Sequence, residues 1–322
     1  LETMLGSGDD RTSVTVQFDA AQINIQGQAT ATPLPQDVSR DELRTPEGAP
    51  PATPDATEAV APDITATVEP TLFADLALLD PVYSPDGAEL VFAAQIAPEV
   101  QELFLLRVAS GNVRQLTTFG ARFTNEPDFS PDGAQIVFAS NQAGGNVDDR
   151  FDIFRLDLDS GELENLTGGL GQNRHPAYAP NGMQISFASD RDTPGEFEIW
   201  AMDLDTRAVS QLTDAANASF APSYAPDSMR IAFISNRGGD NDLYIMNADG
   251  TSEQLVSLND NNAEDRAPAW SPDGAWIALA STRDNQRNPQ IWLVRPDGTD
   301  WRQLTNGPGP HQDPAWYPIV TE

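Results

Sequence analysis

The chain has 322 residues, 49 of them acidic against 18 basic, and at a formal net charge of −31 it repels phosphate backbones and anionic lipid. Nucleic acid and membrane surfaces are thereby set aside as partners. Cysteine is absent, which removes disulfides, thiol catalysis and Cys-ligated zinc together. No apolar run approaches the roughly 18 residues that span a bilayer, and the longest, near Leu72–Leu79, is broken by Asp75.

Residues 1–12 are polar and are expected to fray. Ser13–Phe18 and Gln22–Gly27 then alternate apolar with polar around Asp19-Ala20-Ala21, which predicts a β-hairpin in an amino-terminal segment, 1–28. Two strands alone are marginal in water, so this pair should dock on something. Residues 29–70 turn to Pro, Ala, Thr, Asp and Glu without aromatics, the composition of an extended acidic linker that cannot bury enough surface to order itself. The chain opens on Leu1-Glu2 rather than Met, which leaves room for a signal or tether upstream.

From residue 71 to 322 one short phrase, Pro-x-aromatic-x-Pro, recurs six times. Its copies are Pro81–Pro85, Pro127–Pro131, Pro176–Pro180, Pro222–Pro226, Pro268–Pro272 and Pro314–Pro318, at intervals of 46, 49, 46, 46 and 46 residues. A fixed period in this range marks a solenoid, propeller or array. Each unit repeats the same internal order. In the second, Pro127–Ser130 reads as a short strand that begins at its proline. Ser130-Pro131-Asp132-Gly133 is a type I turn, and Gln135–Ser140 a second strand. Phe151–Leu156 alternates as a third, Asp159-Ser160-Gly161 turns the chain, and Glu164–Thr167 is a short fourth. Fourth strands elsewhere end in Gln115-Leu116-Thr117, Gln211-Leu212-Thr213, Gln254-Leu255-Val256 and Gln303-Leu304-Thr305.

Four antiparallel strands per unit, repeated radially, predict an all-β fold, a β-propeller. Six phrases bound five complete units, and the last phrase ends at Pro318. The expectation is six blades, the sixth made composite by amino-terminal strands from the 13–27 hairpin, with 65–73 as an outer strand. The phrase aromatics Tyr83, Phe129, Tyr178, Tyr224, Trp270 and Trp316 should pack between blades, as should Phe104, Phe154, Trp200, Tyr244 and Trp292. Ser189-Asp190-Arg191, Ser235-Asn236-Arg237 and Ser281-Thr282-Arg283 read as hydrogen-bonded blade edges.

The Ser-Pro-Asp-Gly turns at 84–87, 130–133 and 271–274, the Gln-Leu-Thr strand ends and the closing Pro-Ala-Trp-Tyr-Pro resemble the WD-like repeats of TolB-like β-propellers over residues 71–318. The resemblance implies a periplasmic or secreted protein whose partner, in that family a lipoprotein, binds over the propeller mouth. In that family the propeller is joined to a compact α/β amino-terminal domain, where this chain has its strand pair and Pro-rich strip.

A propeller presents a funnel at the end of its channel, and the residues just before each phrase should ring it. They are Asp80, Glu126, His175, Ala221, Ala267 and Asp313, preceded by Leu79, Asn125, Arg174, Phe220, Arg266 and Gln312. The binding set expected is Asp80, Asn125, Glu126, Arg174, His175, Phe220, Arg266, Gln312 and Asp313, able to meet a carboxylate-bearing peptide, a cation or water. His175 and His311 with Asp313 or Glu126 reach the ligand count of a zinc site, but their spacing matches no metal motif. Acidic loops at Asn259–Asp265, Asn241-Asp242 and Asp148-Asp149 offer the oxygen ligands calcium takes, without an EF-hand pattern. The expectation is no cofactor, calcium being the one ion these loops would suit. Neither Gly-x-Ser-x-Gly nor a phosphate-binding Gly-rich loop occurs. The chain therefore reads as a monomeric, non-enzymatic, extracytoplasmic scaffold that binds a protein or peptide at the mouth. Its alternatives are a glycan hydrolase or lyase with its site in the channel, and an assembly subunit pairing through its amino-terminal strands.

Overall fold

The computed structural model describes residues 2–5, 16–17 and 78–318, apart from 122, 143–149, 216, 258–262, 285–287 and 308–309. All its regular elements are strands. Two short ones come first, β1 (Glu2–Leu5) and β2 (Val16–Gln17). Blade I follows, made of β3 (Leu78–Tyr83), β4 (Glu89–Ala97), β5 (Val100–Arg107) and β6 (Asn112–Gln115). Blade II is β7 (Thr124–Phe129), β8 (Gln135–Ser140), β9 (Asp152–Asp157) and β10 (Leu163–Asn165). Blade III is β11 (Asn173–Tyr178), β12 (Gln184–Ser189), β13 (Glu198–Asp203) and β14 (Val209–Gln211). Blade IV is β15 (Ser219–Tyr224), β16 (Arg230–Ser235), β17 (Asp242–Asn247) and β18 (Gln254–Leu255). Blade V is β19 (Asp265–Trp270), β20 (Ile277–Ser281), β21 (Gln290–Val294) and β22 (Arg302–Gln303), and β23 (Ala315–Tyr317) ends the series.

Each of the five blades is an antiparallel meander in sequence order. The inner strands form a closed circuit, β3 against β7, then β11, β15, β19 and β23, with β23 back against β3. Among the described residues this is a β-propeller with five complete blades, where six, the last composite, were expected. The sixth inner strand, β23, lies in a three-stranded sheet with β1 and β2. It runs parallel to β1, with Thr3, Met4 and Leu5 opposite Ala315, Trp316 and Tyr317.

Among the described residues the partner of β23 is not the hairpin predicted at 13–27. It is a strand from the segment expected to fray, with Val16–Gln17 paired antiparallel to it. The physical reason is that an unpaired strand edge offers backbone N–H and C=O groups, which do not read side-chain alternation. The rest of the hairpin, the 29–70 linker and the 65–73 strand lie outside the described residues.

The prolines also sit differently from the expectation. Pro127 is the fourth residue of β7 rather than its first, and β3, β11, β15 and β19 likewise start upstream of their prolines. Each inner strand is the edge of its sheet, with the channel on its open side. A proline there removes no ladder bond.

Adjacent blades bury each other's faces. Phe92, Phe138, Phe187, Phe233 and Leu279 recur at one position of the second strands and are almost fully buried. Each contributes on the order of 1.5–3 kcal/mol relative to exposure. The phrase aromatics Tyr83, Phe129, Tyr178, Tyr224 and Trp270 are buried as expected, as are Phe104, Phe154 and Trp292. Trp200, Tyr244 and Trp316 are only half-buried. Trp200 and Tyr244 are covered by arginine, Arg191 lying 5.1 Å from the Trp200 ring and Arg237 4.7 Å from that of Tyr244. The Ser-x-Arg motif supplies these caps and is hydrogen-bonded as predicted, through Arg191 Nε to Ser189 Oγ at 3.1 Å and Arg237 Nε to Ser235 Oγ at 2.9 Å.

The Gln-Leu-Thr ends turn out to be locks placed just after the fourth strand. Thr117, Thr167, Thr213 and Thr305 each accept the third-strand N–H of Leu103, Ile153, Ile199 and Ile291. The same hydroxyls donate to Glu102, Asp152, Glu198 and Gln290. In the divergent Gln-Leu-Val copy Ser257 takes over, accepting from Leu243 N at 2.7 Å.

Candidate functional site: the channel and its rim

The inner strands enclose a channel of about 580 Å³ whose wall is built from all six phrases. Just before the first proline of each complete blade the strand bulges. Between Asn125 and Asp128 the register with β8 slips by one residue, and the same slip occurs in the other four complete blades. The bulged residues Asp80, Glu126, His175, Ala221 and Ala267, and Asp313 at the equivalent place before the last phrase, all hold positive φ, between 48° and 56°. For residues other than glycine this left-handed conformation costs on the order of 1–2 kcal/mol each. It recurs only where surrounding structure enforces it.

Side-chain bonds from blade to blade supply part of that enforcement. Glu126 N donates to Asp80 Oδ2 at 3.2 Å, and His175 N to Glu126 Oε2 at 2.7 Å. Each carboxylate thus receives the N–H of the bulged residue on the next blade. Glu126 Oε1 also takes Arg174 Nη2 at 2.8 Å and has His175 Nε2 at 3.3 Å. Arg174 stacks 4.3 Å from the Phe151 ring, and His175 lies 6.1 Å from Phe220.

The channel gathers Asp80, Glu126, His175, Phe220, Arg266, Gln312 and Asp313 of the predicted set, together with Ala221 and Ala267. Two predicted residues do not line it: Asn125 is buried, and Arg174 is turned onto Glu126. His311 does not line it either, and among the described residues no three His, Asp or Glu side chains are grouped to hold a metal. Of the proposed calcium loops, Asp148-Asp149 and most of Asn259–Asp265 lie outside the described residues. Asp242 is buried, and Ser257 Oγ donates to it at 3.4 Å.

One residue of the wall was missed. The next layer of the wall is the second position of each phrase, Val82, Asp128, Ala177, Ser223, Ala269 and Ala315. Five of these are small or apolar and one is a carboxylate. Comparing the six phrases position by position would have found it. Asp128 Oδ2 accepts Tyr178 N at 2.7 Å, another link to the next blade.

The electrostatics follow from burial and neighbours. Burial, then Asp313 and Glu126, push the Asp80 carboxyl up to about 7. Burial alone pushes Asp128 up to about 7. Burial and Glu126 raise Asp313. Glu126 goes the other way: burial opposes its charge, but the His175 ring and the Arg174 guanidinium hold it below the usual glutamate range. Burial depresses the His175 ring, partly offset by Glu126. The wall is therefore acidic over three neighbouring strands, β23, β3 and β7, while Phe220, Ala221 and Ala267 make the opposite side largely apolar.

Ring, phrase and channel together define a β-propeller whose repeats face a single axial site. Residues 149–266 match the TolB beta propeller domain. An uncharacterised protein of Agrobacterium fabrum is 31% identical over 121 residues, which is 38% of this chain and 39% of that one. The crystal structure of TolB from Acinetobacter baumannii superposes with a TM-score of 0.64 at 22% identity, over 76% of this chain and 58% of that one. A TolB-like protein of Agrobacterium tumefaciens gives 0.63 at 24% identity, over 76% and 87%. At these identities the solved structures speak for the fold alone. The chain spans well under two thirds of the Agrobacterium fabrum relative and of the Acinetobacter protein.

Proposed function

We propose that this chain is a non-enzymatic, extracytoplasmic scaffold that holds a protein or peptide segment at the mouth of its channel. The observation that carries the reading is the state of the rim carboxylates. Asp80, Glu126 and Asp128 each accept a backbone N–H from the neighbouring blade. Their first task is to fix the shape of a rim, and a rigid rim with mixed donors and acceptors around a half-apolar channel suits recognition. Backbone strain at all six positive-φ positions supports the same view, since strain of this kind gathers at binding sites. The fold by itself is indifferent to activity.

The location rests on the likeness to TolB-type propellers, and no helix among the described residues is long and apolar enough to cross a membrane. On this reading the molecule is a monomeric propeller. The sheet of β23, β1 and β2 serves as a sixth, composite blade that ties the amino-terminal strand into the ring.

The test is photocrosslinking in the native source. A crosslinking residue at Gln312, exposed at the mouth, should capture a discrete partner, and Arg266→Glu should abolish the capture. The same residue placed at Met229, exposed on an inter-strand turn away from the channel, should capture nothing. Equal capture at both positions, or capture indifferent to Arg266→Glu, sinks the reading.

A further inference from the structure

Blades I to III hold the loop after the fourth strand by one device. A carboxylate near the start of the third strand, Glu102, Asp152 or Glu198, accepts the hydroxyl of the threonine fifteen residues on. The same carboxylate takes a backbone N–H just past that threonine, from Gly120 at 2.6 Å, Gly169 at 2.9 Å and Ala215 at 2.9 Å. Blade V has Gln290 in this place. Its Oε1 accepts the Thr305 hydroxyl at 2.9 Å, but its other terminal atom is a nitrogen, which donates to the Pro289 and Gly307 carbonyls at 3.1 and 3.4 Å. An amide offers a donor where a carboxylate offers a second acceptor. The N–H at the equivalent place, that of Gly307, accordingly has no hydrogen bond among the described residues.

The residue before this unheld N–H is an asparagine. The sequence has two Asn-Gly pairs, Asn181-Gly182 and Asn306-Gly307, and both asparagines are exposed. Glycine has no Cβ to hinder its backbone, so in such a pair its nitrogen can reach the preceding side-chain carbonyl. At Asn181 hydrogen bonds oppose this. Gly182 N donates to Ala179 O at 2.8 Å, and Asn181 Oδ1 accepts Met183 N at 2.9 Å. Among the described residues neither the Asn306 side chain nor Gly307 N is held in this way.

We propose that Asn306 is a site of spontaneous deamidation and isomerisation, opened by the glutamine at 290. The Gly307 nitrogen loses its proton to solvent base and forms a bond to Asn306 Cγ. The Cγ–Nδ2 bond breaks, and the amide nitrogen takes up a proton and leaves as ammonia while the side chain closes into a succinimide. Water then opens the ring at either carbonyl, giving aspartate or isoaspartate. The product carries one more negative charge, and as isoaspartate one more backbone carbon, on the segment that leads to Gln312 and Asp313 at the mouth.

The experiment incubates the full chain at mildly alkaline pH and follows the peptides carrying Asn306 and Asn181 by mass. Isoaspartate is scored by its resistance to an aspartate-specific protease. In the folded protein Asn306 should be lost at least tenfold faster than Asn181. In concentrated urea, where both pairs are free, the two rates should agree within about twofold, a comparison that needs no variant. Gln290→Glu restores the second acceptor for Gly307 N and should slow the loss of Asn306 at least fivefold, with Asn181 unchanged. Glu102 and Glu198 are buried in the same place in their blades, so this variant is expected to fold, and circular dichroism checks it. Gly307→Ala is a poorer test, because its Cβ would stand 2.7 Å from His311 Nε2. The proposal is overturned if Asn306 is lost no faster than Asn181 in the folded protein, if it stays faster in urea, or if Gln290→Glu leaves its rate unchanged.

Discussion

Replacing Asp128 by Asn removes one charge from the channel wall while keeping an oxygen able to accept the Tyr178 N–H, which lies at 2.7 Å. Burial carries this carboxyl from 3.8 up to about 7. Between those two values the folded protein holds a proton that the unfolded chain has released. Stability therefore falls as pH climbs through this window, and the loss is complete above the folded value. At about 1.4 kcal/mol per pH unit the span amounts to as much as about 4 kcal/mol. The channel is open to water, which lowers the effective penalty, so Asp128→Asn should gain about 2–4 kcal/mol at pH 8. Near pH 4, where both forms are neutral, it should gain about none. Urea unfolding of both proteins at pH 4, 6 and 8 gives the comparison directly, because all other titrating groups are common to the pair. A difference that stays constant with pH, or a variant less stable at pH 8, refutes the argument.

Two further tests probe the scaffold. Gly250 has φ +83°, and an added Cβ would lie 2.6 Å from the Leu212 carbonyl oxygen of the preceding blade. Gly133 has φ +73°, but its nearest neighbour would be Pro85 at 3.6 Å, an ordinary contact. Gly133→Ala should therefore cost only the backbone term of about 1–2 kcal/mol, and Gly250→Ala measurably more, as read from denaturation midpoints. Equal losses would show that the blade-to-blade approach at Leu212 is slack. Deleting residues 1–17 removes the pairing of Thr3, Met4 and Leu5 with β23. With net hydrogen bonds worth about 1 kcal/mol each, it should lower stability by about 2–4 kcal/mol. A truncated chain of unchanged stability would end the composite-blade reading.

Much of the blade could be read from local residue order. Gln135–Ser140 is β8 to the residue, because alternation and flanking turns both act over a few residues. The Ser-Pro-Asp-Gly turn was equally legible: Ser130 Oγ donates to Asp132 Oδ1 at 2.6 Å and Gly133 N to Ser130 O at 2.8 Å. Boundaries that depend on a neighbour were not. Thr117 looked like the end of a strand and is a lock on Leu103, a role set by a chain segment fourteen residues away. Arg191 looked like an edge residue and is also the lid of Trp200.

The rim divides along the same line. Its membership followed from counting back from each proline, and seven of the nine named residues do face the channel. The sequence by itself determined the repeat, its strands and turns, and which residues stand before each phrase, since these depend on period, chirality and turn chemistry within one unit. Only the tertiary structure decided that Asn125 and Arg174 turn away, that Asp128 faces the cavity, and that β1 rather than the hairpin meets β23. Those outcomes depend on which blade stands beside which, and on charges and open edges brought together from units some fifty to three hundred residues apart.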